Sequence, residues 1–306
     1  LDYDDTLLAQ LRIPRCILPE VLPSSCIFGQ VKPGIKGLEA LEAVPVAGVA
    51  GDQQAALFGQ ACFTPGQAKC TYGTGSFIMM QTGSKPVKSK NRLLTTIAWG
   101  IGDEVSYALE GSVFNAGSGI KWLKNEIGLI SDDHEIDILA ETVDDSNGVY
   151  FVSAFTGLGA PYWDMYARGA MLGITRATTK AHICRAVLDG IAYQVYDLAR
   201  TMEADSGCKL IEIRADGGAS VSDVMLQFQA DILRTPVNRA KCVESTALGV
   251  SLLAGLATGV YKDLDDIKRR WESDRIFNPG MDISKCEAYI SGWHRAVERA
   301  KKWEEI

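Results

Sequence analysis

Histidine is scarce: His134, His182 and His294 are the three in a chain of 306 residues. They are scattered and share no short motif, which argues against a histidine metal cluster or a histidine-centred catalytic triad. Cysteines at ligand spacing are lacking as well. Cys16, Cys26, Cys62, Cys70, Cys184, Cys208, Cys242 and Cys286 form no CxxC pair. They read as small buried hydrophobes, not a disulfide framework or a zinc site, and a reducing cytoplasm is the expected location. No apolar run reaches the length of a membrane span, and no signal-peptide pattern opens the chain. Internal repeats and low-complexity runs are missing too. Positive charge is not in excess: 31 Lys and Arg against 38 Asp and Glu give a net charge of −7. A nucleic acid or an anionic membrane held by bulk field is therefore not an expected partner. The cluster Lys285, Arg295, Arg299, Lys301 and Lys302 reads as the solvated face of a C-terminal helix.

What is present describes a globular protein. Apolar residues make up 47% and charged residues 23%, enough for about two domains. The chain opens at Leu1 on an acidic, uncapped helical turn, and we read it as a piece of something longer. A helix is expected over 1–12, ended by Ile13-Pro14. A loop-rich stretch carrying Pro19, Pro23, Pro33, Gly29, Gly34 and Gly37 follows, then a strand over 44–50 with neighbours on both sides. A helix over 53–63 and a turn at Thr64-Pro65-Gly66 suggest a domain crossing. Further strands are expected at 68–72, 77–81, 93–99, 104–110, 148–155, 169–174, 210–215 and 236–239. Helices are expected at 112–127, 135–143, 181–204 with Gly207 as C-cap, 222–233, 245–259 and 284–303. The helix at 245–259 is small on one face, as close helix packing requires.

Three short segments carry chemistry. Gly51-Asp52-Gln53-Gln54 puts a carboxylate where a strand meets a helix. Thr71-Tyr72-Gly73-Thr74-Gly75-Ser76-Phe77 is a glycine and hydroxyl turn between two strands, and such turns offer bare N–H groups to phosphate oxygens. Arg214-Ala215-Asp216-Gly217-Gly218-Ala219 ends one strand and opens a helix. Taken singly, Asp52 reads as well as a helix cap, and both glycine pairs read as ordinary turns. In this order they make a phosphoryl-transfer layout.

The segment Gly169-Ala170-Met171-Leu172-Gly173-Ile174, then seven residues, then His182-Ile183-Cys184-Arg185-Ala186-Val187-Leu188-Asp189 resembles the C-terminal signature of FGGY-type carbohydrate kinases. Within that family the chain is most similar to glycerol kinases, notably in the loop Thr156-Gly157-Leu158-Gly159-Ala160-Pro161-Tyr162-Trp163-Asp164. The resemblance covers essentially the whole chain. It implies an α/β, ribonuclease-H-like fold of the actin/hexokinase/Hsp70 ATPase type, with residues 1–63 as the end of a first domain and 64–306 as the second. It also implies ATP-dependent phosphorylation of glycerol to sn-glycerol 3-phosphate, with ATP and Mg²⁺ as cofactors and a homo-oligomer as the complete enzyme. Asp52 matches the catalytic base, which also faces the metal, and Gln53 and Phe77 match residues lining the polyol site. Thr74, Gly117, Lys121, Gly218 and Ser222 match nucleotide contacts, although the family often has glutamine at the place of Lys121 and asparagine at that of Ser222. The family's first phosphate loop and its main polyol-gripping residues lie in the first domain and are not in this sequence. Two other readings stay open: a kinase of the same family acting on a pentulose or sugar acid, and a non-catalytic nucleotide-binding fragment that needs a partner chain.

Overall fold

Along one strand, β3 (Gln67–Tyr72), Ala68, Cys70 and Tyr72 enter the main hydrophobic core while Lys69 and Thr71 face the other way. The computed structural model describes residues 1–304, and this alternation organises it. Before β3 come α1 (Asp5–Leu11), β1 (Ser25–Gln30), β2 (Pro45–Gly48) and α2 (Asp52–Gly59); after it come β4 (Ser76–Gly83), β5 (Leu94–Ile101) and β6 (Glu104–Val113). Helices α3 (Gly117–Asn125) and α4 (Glu135–Ala140) precede the short strands β7 (Tyr150–Val152) and β8 (Ala170–Leu172). The remainder runs α5 (Lys180–Ser206), β9 (Glu212–Asp216), α6 (Asp223–Leu233), β10 (Val237–Ala240), α7 (Ser245–Ala257), α8 (Leu264–Arg270), β11 (Ser273–Phe277) and α9 (Ile283–Ala300).

Among the described residues, nine strands form one sheet in the order β11-β10-β9-β3-β4-β6-β5-β1-β2. Its centre, β6-β4-β3-β9-β10, is the ribonuclease-H-like arrangement: β3 pairs antiparallel with β4 and parallel with β9, and β10 is parallel to β9. Helices α5, α6 and α3 cover one face, where Ile78, Met80, Leu188, Val195 and Leu226 share the main core. Helices α2 and α7 cover the other, where Leu57, Phe58, Met79, Trp99 and Leu253 cluster. Helix α7 meets α2 through its small face: a Cβ at Gly249 would lie 1.8 Å from the Ala55 carbonyl oxygen. The long helix α5 opens on a capping box between Thr179 and His182 and closes on Gly207 at φ 71°.

Several sequence expectations need correction. The opening helix is capped: the Asp4 carboxylate accepts from the backbone N–H groups of Thr6 and Leu7. The proline- and glycine-punctuated stretch hides β1, which pairs antiparallel with β2 and meets β5 at Ser25 and Ile101. Strand β2 is shorter than 44–50 and lies at the sheet edge with one neighbour, so the expected second neighbour is not among the described residues. Helix α3 begins at Gly117, not Ser112, because Ser112 still pairs with Phe77 across β6 and β4. The strands at 148–155 and 169–174 shrink to three residues each and form a separate two-stranded sheet. Helix α8 and strand β11 carry no counterpart in the sequence reading.

Candidate active site

Strands β3 and β9 are parallel neighbours, with Thr71 opposite Asp216, so the two glycine turns leave the sheet side by side at the same end. That end is where open α/β sheets place their ligands. The two turns are in contact: a Cβ at Gly217, whose φ is +87°, would lie 2.7 Å from the Tyr72 carbonyl oxygen. At Gly218 a Cβ would meet nothing within 4 Å, because that residue faces a cavity of about 460 Å³. Tyr72, Gly73 and Thr74 form one wall of this cavity, and Gly218, Ala219, Val221 and Ser222 form another. Helix α3 adds Gly117, Ile120 and Lys121, and the start of α4 adds Asp133, His134 and Asp137. Gly117 sits tight against the first turn, its N–H donating to the Gly73 carbonyl at 3.0 Å.

All five residues matched to nucleotide contacts, Thr74, Gly117, Lys121, Gly218 and Ser222, thus line one cavity. Ser222 is not a free arm within it. Its buried hydroxyl caps α6 by accepting from the Met225 N–H at 3.1 Å and donates to the Asp137 carboxylate. Burial raises the Asp137 carboxyl above the usual range, and the Ser222 hydrogen bond opposes that rise. Asp137 was not singled out in the sequence, where it is one acid among several on an amphipathic helix.

The residues matched to the polyol site gather elsewhere, on the α2 face of the sheet. Asp52 is exposed on the first turn of α2, where the helix N-terminus favours an anion, and its Oδ1 accepts from the Gln53 N–H at 2.8 Å. Phe77 lies directly across β4 from Thr71 and is 40% exposed. Beneath them sits Lys69, fully buried, whose ammonium donates to Gln53 Oε1 and, at 3.1 Å, to Thr71 Oγ1. Burial pushes the Lys69 ammonium below the usual lysine range, and the carboxylates of Asp216, Glu110 and Asp52 resist that shift. Glu110 is pushed up by burial, with Lys69 opposing and Asp52 adding to the rise. Lys69 escaped the sequence reading because a lone lysine in an alternating strand reads as solvent-facing.

Among the described residues, no group of three or more His, Cys, Asp or Glu side chains could cage a metal ion. Mg²⁺ in phosphoryl-transfer sites needs no cage: it keeps several waters and takes one or two carboxylates together with phosphate oxygens. Asp52 is exposed and only its Oδ1 is engaged, by the Gln53 N–H, which fits such a role. All eight cysteines are free thiols, and burial pushes those of Cys62 and Cys70 up to about 12. No helix among the described residues is long and apolar enough to cross a membrane.

Comparison with known proteins agrees with this fold. Residues 68–258 match the C-terminal domain model, and residues 1–59 the N-terminal domain model, of the FGGY family of carbohydrate kinases. The chain is 53% identical over 304 residues to glycerol kinase 1 of Clostridium tetani and 54% identical over 304 residues to glycerol kinase 2 of Thermotoga maritima. Each match covers 99% of this chain and 60% of the relative, so the chain spans well under two thirds of their length. The structure of Plasmodium falciparum glycerol kinase with ADP superposes with a TM-score of 0.92 at 39% identity, covering 98% of this chain and 60% of that one. The ligand-bound xylulose kinase of Lactobacillus acidophilus, at 24% identity and a TM-score of 0.85 over 98% of this chain and 60% of that one, shares the fold. With both domain models matched in order and the two glycine turns closing on one cavity, the chain belongs to the FGGY family of carbohydrate kinases.

Proposed function

We propose that the protein phosphorylates glycerol at the expense of ATP, giving sn-glycerol 3-phosphate and ADP, and that residues 1–306 supply the nucleotide site and the proton acceptor. The observation that carries this reading is the cavity at the ends of β3 and β9, in which all five nucleotide-matched residues meet. The preference for glycerol over a pentulose or sugar acid rests on relatives above 50% identity and on the 156–164 loop. We place the division between a first and a second domain at 63/64 and the protein in the cytoplasm.

In this reading the adjoining Gly73–Thr74 and Gly217–Gly218 turns hold the phosphates and adenosine, with the exposed Lys121 as an added cation. The hydroxyl oxygen of glycerol bonds to the γ-phosphorus as the bond from phosphorus to the β,γ-bridging oxygen breaks. Asp52 takes the hydroxyl proton. A carboxylate is a weak base toward an alcohol, so Asp52 acts late, as the oxygen loses its proton on bonding to phosphorus, and mainly by orienting the hydroxyl. Mg²⁺, when bound, neutralises charge on the phosphate oxygens. Gln53 and Phe77 shape the polyol side, and the remaining grip comes from the part of the family's first domain that lies outside residues 1–306.

The test is Asp52→Asn in the polypeptide that carries both family domains complete. Loss of a general base is expected to lower kcat by at least about 10²-fold while Mg·ADP affinity stays within a few fold. A variant that keeps more than about a tenth of wild-type turnover removes Asp52 from this role.

A further inference from the structure

A lysine fully enclosed in a fold is rare, because the ammonium gives up its hydration. Lys69 is such a residue, with 0% of its surface exposed. An apolar side chain of similar volume would often stabilise the same position as well or better. What Lys69 contributes must then lie in what it touches. It donates to Gln53 Oε1 at the start of α2 and to Thr71 Oγ1 in the strand that runs into the first glycine turn. The carboxylate that acts on it most strongly is that of Asp216, the residue that opens the second glycine turn. Asp216 is itself buried. Its Oδ2 accepts from Gln60 Nε2 at 2.7 Å, at the C-cap of α2, and from Ser245 Oγ at 2.5 Å, in the first turn of α7. Its Oδ1 has no hydrogen-bond partner among the described residues. Lys69 therefore lies where both glycine turns and the first turn of α2 converge.

We propose, resting on the function above, that Lys69 is a positioning residue for phosphoryl transfer: it fixes Gln53, and with it the first turn of α2 that carries Asp52, against the strand that ends in the phosphate turn. A neutral residue in its place leaves the nucleotide cavity standing but frees the reacting end of α2. A misplacement of about 1 Å at a reacting group costs on the order of 10²-fold in rate.

The experiment uses the polypeptide with both family domains complete and compares wild type with Lys69→Met, Gln53→Leu, the double variant and Lys69→Gln. Mg·ADP binding, kcat and the KM for glycerol are measured for each. Lys69→Met is expected to lower kcat by about 10²-fold while Mg·ADP affinity stays within about threefold. The double variant is expected to be no worse than the more damaged single variant, because both changes remove one linkage. Lys69→Gln keeps a donor for Gln53 Oε1 and is expected to recover part of kcat, and it decides the matter if Lys69→Met does not fold. Unchanged kcat, multiplicative losses in the double variant, or nucleotide affinity falling in step with turnover would each overturn the role. A wild-type polypeptide that binds Mg·ADP but does not phosphorylate glycerol would overturn the functional reading itself, and this proposal with it.

Discussion

Asp197 shows what a single buried carboxylate does in this molecule away from the cavity. It accepts from the Tyr162 hydroxyl at 2.6 Å, from Trp293 Nε1 at 2.6 Å and pairs with His294 Nε2 at 2.9 Å, joining the 156–168 loop, α5 and α9. The hydrogen bond to Asp197 holds the His294 imidazole above its ordinary pKa, and Glu298 adds to the rise. A histidine raised in this way contributes stability that is fully present below its unfolded value, about 6.5, and fades as pH climbs through the higher folded value. The melting-temperature gap between wild type and His294→Ala is therefore expected to narrow from pH 6 to pH 8; a gap that is flat or widens across that range would contradict this. The contribution is modest, because the His294 side chain is half exposed and screened by solvent. His182, a signature residue in the sequence, forms the capping box with Thr179 that opens α5. Lys69 and Asp137 were not legible. Their importance comes from strand register and from the packing of α4 on α6, which residue type and local spacing do not encode.

Among the elements, α2 carries the most consequence for its eight residues. Its first turn presents Asp52, its C-cap residue Gln60 is clamped to Asp216, and its flank lies against α7 at backbone distance. Trp271 Nε1 donates to Gln60 Oε1 at 3.1 Å, and Arg214 stacks over the Trp271 ring at 4.0 Å, so the clamp is itself backed by packing. A methyl group at Gly249 has no room, so Gly249→Ala is expected to destabilise the protein by about 1–3 kcal/mol, read by denaturant unfolding. It should also lower turnover in the two-domain polypeptide more than Mg·ADP affinity, because the displaced helix carries Asp52. Wild-type stability in that variant would mean that the two helices part more easily than their contact suggests. The small face of α7 was visible as a run of Ala, Gly and Ser in the sequence, but its partner was not. Strand β1 was hidden by the prolines and glycines around it, and β11 by polar, exposed residues suited to a sheet edge.

At the scale of the whole molecule, the central strands β6-β4-β3-β9-β10 and the meeting of both glycine turns at one cavity follow from segments that the sequence displayed, whereas strands β1 and β11 do not. The substrate side does not. Asp52 and Phe77 are exposed, and Ile27, Leu38, Leu41, Val44, Val46 and Val49, around β1 and β2 at the sheet edge, leave apolar surface exposed. Residues 1–59 match the family's N-terminal domain model, and the chain spans 60% of the length of the relatives it matches. Residues 1–306 alone are accordingly expected to bind nucleotide without glycerol-dependent ADP release in a coupled assay. Robust turnover would show that the polyol grip lies within this chain after all.

The central claim is that the cavity between the two glycine turns is the nucleotide site, and it can be measured on these residues directly. Calorimetric titration of Mg·ADP into residues 1–306 is expected to show one site. Gly218→Val should weaken that binding by at least about tenfold, because its side chain enters the ligand's space. Its melting temperature should stay at the wild-type value, since a Cβ at Gly218 meets no protein atom within 4 Å. No binding by the wild-type chain, or equal affinity in the variant, would contradict the account.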